Sequence, residues 1–342
     1  MQISDFYYDL PEDFIAQEPL EDRSRSRMLF IDRAANAFSD DHFSNFPGYL
    51  KKGDVLVLNN TKVFPARLLG RSETGAAVEV FLIRETAELQ WETLARPARR
   101  LRPGKRLIFG ERLSGEVVEK RDDGRVVVRF KPAGDFDEIL NEVGQTPLPP
   151  YIKRDQSVYD DRERYQTVFA KNRGAIAAPT AGLHFTRDVM GEIRDRGVTI
   201  AEITLHVGYG TFEPVRVEDV SEHRVMSEQF EIPEATAEVL NRGKSDGCRI
   251  IAVGTTTTRA LETALSKTPN FIAGKNVADL TITPGYKFRA IDGLLTNFHL
   301  PKSSLLILVS TFGGHELIME AYRHAVAAGY RFYSYGDCML II

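Results

Sequence analysis

Val55-Leu56-Val57-Leu58-Asn59-Asn60-Thr61-Lys62-Val63-Phe64-Pro65-Ala66-Arg67 is the stretch on which the fold turns. Its first four residues are aliphatic without alternation, as in a strand buried on both faces of an α/β sheet. Polar residues follow at the strand's C-terminal end, where such sheets bind ligands. From Arg67 the pattern changes. Val78–Ile83, Gln90–Leu94, Arg106–Phe109, Gly115–Val118 and Arg125–Phe130 succeed one another at short intervals, separated by turns such as Asp122-Asp123-Gly124. Five or six short strands with no helix between them predict a small antiparallel barrel. It ends before Thr146-Pro147-Leu148-Pro149-Pro150-Tyr151, a stiff connector.

On the N-terminal side, Met28–Asp32 and Ala37-Phe38 bracket an Ala-Ala-Asn turn, a hairpin signal. Beyond Tyr151, helices and strands alternate. Arg187–Gly197, Ala235–Gly243, Thr258–Ser266 and His315–Ala328 read as helices, and Ser303-Ser304 caps another from Leu305. Val198–Leu205 and Arg249–Gly254 read as strands, and Tyr330–Tyr335 as a closing strand. The fold expected is therefore α/β plus all-β: an α/β domain interrupted by an inserted small antiparallel β-barrel. Its parts are 1–66 (α/β, first part), 67–150 (barrel) and 151–342 (α/β, second part), two domains being the natural expectation for 342 residues.

Bulk composition is that of an ordinary globular chain, 43% hydrophobic and 27% charged. Met1-Gln2-Ile3-Ser4-Asp5 lacks the basic and apolar regions of a signal peptide, and Leu305–Val309, the longest strongly apolar run, is too short for a bilayer. No membrane association is expected. Cys248 and Cys338 are the only cysteines, far apart, with no zinc or redox spacing, so a reduced cytoplasmic setting and no metal are expected. The net charge of −4 gives no global attraction to nucleic acid, but residues 67–154 hold 17 basic and 14 acidic side chains, +3, which leaves −7 for the rest. Arg96–Arg106 alone carries six cations and no acid. It is either a solvated loop or a phosphate-contacting patch.

Ala177-Ala178-Pro179-Thr180-Ala181-Gly182-Leu183-His184-Phe185-Thr186 and His206-Val207-Gly208-Tyr209-Gly210-Thr211-Phe212 set histidine among Gly and Thr. Each histidine is either a proton carrier near neutral pH or a hydrogen-bonded structural group. Gly208 and Gly210 lack the third Gly and the following helix of a dinucleotide fingerprint. In Gly254-Thr255-Thr256-Thr257-Thr258-Arg259 a buried strand ends in Gly and hydroxyl residues open a helix, whose free N–H groups suit a carboxylate or phosphate. Arg259 could add a bidentate contact, and ordinary capping accounts for one Thr of the four. Asn297 and His299 alternate with Phe298 and Leu300, so they either share one face of an extended segment or belong to a satisfied turn before a buried helix. No nucleophile elbow or P-loop is present.

Together these segments resemble the S-adenosylmethionine:tRNA ribosyltransferase-isomerase family of queuosine biosynthesis. The carriers are Asn59–Leu68, Leu148–Ile152, Arg164–Phe169, Ala177–Thr186, His206–Phe212, Gly254–Glu262, Thr296–Ser304 and Tyr330–Leu340. One departure is visible. The family usually reads His-x-Met-His-Ser-Glu where this chain has His223-Arg224-Val225-Met226-Ser227-Glu228, without the second His.

The resemblance implies an α/β domain interrupted by a barrel. It also implies transfer of the ribosyl part of S-adenosylmethionine to 7-aminomethyl-7-deazaguanine at the tRNA wobble position. Isomerisation then gives epoxyqueuosine-tRNA, with adenine and methionine released. Partners would be that tRNA and S-adenosylmethionine, with no further cofactor, and a monomer is expected. On this reading His184 and His206 serve as acid and base. Thr180, Gly182, Phe185, Gly208, Gly210 and Thr211 shape the pocket. Thr256, Thr257 and Arg259 hold the methionine carboxylate or a phosphate, and Asn297 and His299 meet the nucleoside. Lys62, Arg67, Arg99, Arg100 and Arg102 meet tRNA. The competing readings are a non-catalytic RNA-binding module and a methyltransferase. For the latter, the expected Gly-rich turn near the start of an α/β domain is missing.

Overall fold

The computed structural model describes residues 1–153, 161–208 and 214–342. In chain order the first part makes β1 (Arg27–Asp32), β2 (Ala37–His42), α1 (Phe46–Tyr49), β3 (Val55–Asn59) and β4 (Thr61–Val63). Next come β5 (Arg67–Ser72), β6 (Ala77–Ala87), β7 (Gln90–Arg96), β8 (Arg106–Ile108), β9 (Leu113–Lys120), β10 (Val126–Pro132), α2 (Phe136–Val143) and β11 (Gly144–Gln145). The chain returns through α3 (Asp161–Arg164), β12 (Asn172–Ala175), α4 (Arg187–Asp195), β13 (Thr199–Leu205), β14 (Glu228–Ile232), α5 (Glu234–Ser245), β15 (Ile250–Val253) and α6 (Thr255–Lys267). It closes with β16 (Gly274–Ala278), β17 (Gly293–Asn297), α7 (Ser304–Gly313), α8 (His315–Ala327) and β18 (Cys338–Ile341).

A nine-stranded sheet runs β16-β14-β13-β3-β15-β17-β18-β1-β2, its central pairs β13/β3, β3/β15 and β15/β17 parallel. Strand geometry sends successive side chains to opposite faces, and both faces are covered. Val55 and Val57 of β3 join the core under α5, α6, α7 and α8, while Leu56 and Leu58 join the core under α4. Ile250 and Ala252 against Ile251 and Val253 repeat the division in β15. The unalternating aliphatic run in β3 is thus two interleaved faces.

At Asn59 the chain leaves this sheet. The Asn59 side chain accepts from Thr61 N at 3.2 Å and Leu205 N at 3.0 Å, and donates to Leu205 O at 2.9 Å. These bonds stand in for ladder bonds, so β4 turns away to pair in parallel with β12 and leads into the barrel. Six strands close there in the order β5-β6-β7-β10-β9-β8, Arg71 and Ser72 pairing back to Ile108 and Leu107. All of these pairings are antiparallel. The aliphatic residues of these strands fill the interior together with Ile139 and Leu140 of α2, a helix not anticipated from the sequence.

Two other expectations are corrected. α6 begins at Thr255, not Thr258, because Gly254 adopts φ +91° and turns the chain directly into the helix. The closing strand is Cys338–Ile341, parallel to β1 and antiparallel to β17, and Tyr330–Tyr335 is not a strand. Tyr330 and Phe332 are buried aromatics packed on Phe298, and Tyr333 at φ +73° breaks any extended run. The Asp337 carboxylate then accepts from Arg331 N and Arg27 N and sets the entry to β18.

Candidate active site

β15 and β17 end side by side, and the residues that follow them meet the turn Thr180–His184 around one cavity. Thr255 and Thr256 of α6 line one side, Thr296, Asn297 and His299 another, and Thr180 a third. Tyr151, Tyr165, Phe298 and Tyr333 supply an aromatic wall, with the Tyr151 and Tyr333 rings edge-on at 4.0 Å. This is the C-terminal edge of the parallel strands, the expected place for a ligand.

The threonines divide by function. Thr257 and Thr258 bond back to Val253 O at 2.7 Å and Gly254 O at 3.1 Å, satisfying themselves within the helix. Thr255 and Thr256 make no such bond and face the cavity. Arg259 is turned away from it. Its guanidinium pairs with Glu228 at 2.7 Å and donates to the carbonyls of Met226, Ala278 and Leu280. It therefore braces β14 against β16 and lines a neighbouring cavity rather than this one.

His184 lies behind the cavity, buried among Phe43 and Phe185. Asn297 Nδ2 donates to Tyr333 O at 2.8 Å, which leaves Asn297 Oδ1 to accept from His184 Nε2 at 3.4 Å. Nδ1 must then accept from Ser26 Oγ at 2.7 Å. Burial holds its pKa down at about 4, so the ring is neutral at pH 7. His206 differs. Its Nδ1 meets Thr61 Oγ1 at 2.8 Å, and its Nε2 has no partner among the described residues. Burial lowers its pKa, Glu231 raises it and Lys275 lowers it. Gly174, at φ +154°, lies flat under the ring, and a Cβ there would come within 2.6 Å of Cε1. Val207, the next residue, lines the cavity. His299 bonds Thr296 Oγ1 at 3.1 Å, and burial alone pushes its pKa down to about 3.

The remaining expected residues scatter. Gly182 packs against Thr167 and Phe169, too close for any side chain, and Phe185 belongs to the core under α4. Gly208 N donates to Glu228 Oε1 at 3.0 Å. Gly210 and Thr211 lie outside the described residues. Lys62 is exposed on β4, and Arg67 pairs with Glu79 at 3.1 Å. Arg99, Arg100 and Arg102 are exposed beside the short turn Ala98–Arg100 between β7 and β8. By contrast Arg84, Arg121 and Arg125 all converge on buried Glu92 across the barrel wall.

Tyr151, Tyr165, Tyr333 and Ser334 line the cavity without having been expected to, although all four sit in the segments that carry the family resemblance. A tyrosine gives no sign in one dimension of which ring face is open. Among the described residues no group of three or more His, Cys, Asp or Glu is placed to hold a metal, and no single helix is long and apolar enough to cross a membrane.

Comparison with known proteins bears on this geometry directly. The sequence profile described as "Queuosine biosynthesis protein" matches residues 3–341. A protein named S-adenosylmethionine:tRNA ribosyltransferase-isomerase from Syntrophotalea carbinolica is 50% identical over 344 residues, covering 100% of both chains. Its namesake from Staphylococcus haemolyticus is also 50% identical with the same coverage. The crystal structure of S-adenosylmethionine tRNA ribosyltransferase from Thermotoga maritima matches with a TM-score of 0.57 and 36% identity, over 99% of this chain and 100% of that one. Full-length identity at this level, together with the interrupted fold, establishes that the chain belongs to the S-adenosylmethionine:tRNA ribosyltransferase-isomerase family of queuosine biosynthesis.

Proposed function

We propose that the protein transfers the ribosyl part of S-adenosylmethionine to 7-aminomethyl-7-deazaguanine at the tRNA wobble position. It isomerises the ribosyl group to an epoxycyclopentanediol and releases adenine and methionine. The observation that carries this reading is the cavity itself, where an aromatic wall faces unsatisfied threonine hydroxyls at the opening of α6. The sulfonium acidifies the adjacent C5′ protons, so a base is needed. His206 fits that role, because its ring is neutral near pH 7 with Nε2 unengaged. His184, with both nitrogens engaged, fits the role of holding Asn297 against the nucleoside. Thr256 and the free N–H groups of α6 suit the methionine carboxylate. The target base must leave its stack, which a single-stranded anticodon loop makes inexpensive.

The protein would work as a monomer, with 67–150 as a tRNA-contacting insert between 1–66 and 151–342. No metal or redox cofactor would take part, and turnover should survive exhaustive chelation. Incubation with S-adenosylmethionine and tRNA carrying the aminomethyl base should release free adenine and methionine. S-adenosylhomocysteine in their place would mean methyl transfer. RNA binding with no small-molecule product would mean a non-catalytic module.

A further inference from the structure

A second cavity lies directly beside the aromatic one, and Thr255, Thr256 and Leu305 line both. Its walls have a different chemistry. Val225, Met226, Ile282, Leu305 and Leu308 are aliphatic or thioether side chains, and among the described residues no Phe, Tyr or Trp lines it. Its polar groups include the buried Glu228–Arg259 pair at 2.7 Å and His223, whose Nε2 bonds Ser304 Oγ at 2.7 Å. The Thr255 and Thr256 hydroxyls between the two cavities have no hydrogen-bond partner among the described residues, although the residues are only 6% and 8% exposed. The first backbone N–H groups of α6, a 13-residue helix, likewise meet no acceptor there. These hydroxyls and N–H groups open on the two cavities with no partner from the chain, so they stand ready for an acceptor that comes with a ligand.

We propose that the two cavities are the two halves of one donor site. The aromatic cavity takes the adenine of S-adenosylmethionine, and the aliphatic one takes its methionine. This rests on the ribosyl-donor reading above and adds the orientation of the donor. Flat rings stack on large aromatic faces, which Tyr151, Tyr165, Phe298 and Tyr333 supply to the first cavity, whereas the His223 imidazole of the second is bonded to Ser304. A flexible thioether chain instead packs well among branched aliphatic groups and methionine. The zwitterionic end of an amino acid needs both signs of partner. The free N–H groups of α6 with Thr256 provide for its carboxylate, and Glu228 provides for its ammonium. The sulfur and C5′ then lie where the two cavities meet beside Leu305, which lines both. Methionine would occupy the second cavity until it leaves as product.

The test is equilibrium dialysis of the full-length protein with labelled S-adenosylmethionine, using free methionine and free adenine as competitors. In the wild type both should displace it. Ile282→Phe, which fills the aliphatic cavity, should weaken S-adenosylmethionine by about tenfold or more. The remaining binding should stay sensitive to adenine and become insensitive to methionine. Met226→Ala, at a half-exposed position that folding tolerates, should weaken methionine competition while leaving adenine competition intact. Tyr333→Ala should do the reverse. Unchanged methionine competition in Ile282→Phe and Met226→Ala, or equal loss of both competitors, would overturn the assignment. If those results came with normal adenine release from S-adenosylmethionine and tRNA, only the orientation would fail. If the wild type bound no S-adenosylmethionine, the donor reading itself would fail.

Discussion

At His184, Ser26 and Asn297 occupy both ring nitrogens and burial holds the pKa at about 4, against 6.5 for an ordinary histidine. A depressed folded pKa means that the unfolded chain takes up the proton first. The stability that comes from burying a neutral ring is complete above about pH 6.5 and drains away as pH falls toward 4, by about 3 kcal/mol. His299, held at about 3, extends the same loss to lower pH. Urea midpoints should therefore fall between pH 7 and pH 4.5, and His184→Asn should show a shallower fall; an equal slope would place the titration elsewhere. His206 should behave as a chemical residue. His206→Ala is expected to lower kcat by about 10²-fold or more, as for loss of a general base. Thr61→Val should lower it less and move the acid limb of the pH–kcat profile, because Thr61 fixes Nδ1 and leaves Nε2 as the reacting atom. Turnover of His206→Ala within about tenfold of wild type would remove His206 from the proton transfers.

Among elements, α6 shows how a helix that opens on the cavity is held at its other faces. Buried Glu262 accepts from Tyr286 Oη at 2.8 Å and from the backbone N–H groups of Arg289, Ala290 and Ile291. One carboxylate thus ties the loop before β17 to α6 and fixes where β17 delivers Asn297. Glu262→Ala would orphan these donors and should cost about 3 kcal/mol or more, read as a lower urea midpoint. Near-wild-type stability would show that water replaces the carboxylate at no cost. How such elements were readable depends on the range of the forces that make them. The β3 run, the Ser303 cap and the barrel's short strands are local patterns, and each stands where it was expected. Tyr330–Tyr335 misled because an aromatic alternation that suits a strand also suits a core turn packed on Phe298. Arg259 read as an anion ligand because its partner Glu228 lies 31 residues away in sequence, and only the sheet brings them together.

For the whole molecule, the distribution of barrel arginines favours a surface that meets a polyanion. Where cations serve the fold they have carboxylates, as Arg84, Arg121 and Arg125 have Glu92. Arg96, Arg99, Arg100, Arg102 and Arg106 are all exposed, and none forms an ion pair among the described residues. Such a cluster leaves a local positive field that the fold itself does not neutralise, which suits a polyanion. If phosphates of tRNA are that partner, binding releases counterions and the affinity falls steeply with salt. Replacing Arg99, Arg100 and Arg102 by Gln should then weaken tRNA binding. It should also flatten the log Kd against log salt slope by about 2, the single-strand coefficient for three lost phosphate contacts. The substitutions lie far from the cavity in sequence and touch no buried group, so KM for S-adenosylmethionine and the urea midpoint should stay at wild-type values. An unchanged salt slope would separate the barrel from tRNA. A change in KM for S-adenosylmethionine equal to that for tRNA would mean instead that the substitutions disturb the site and not the docking of its substrate.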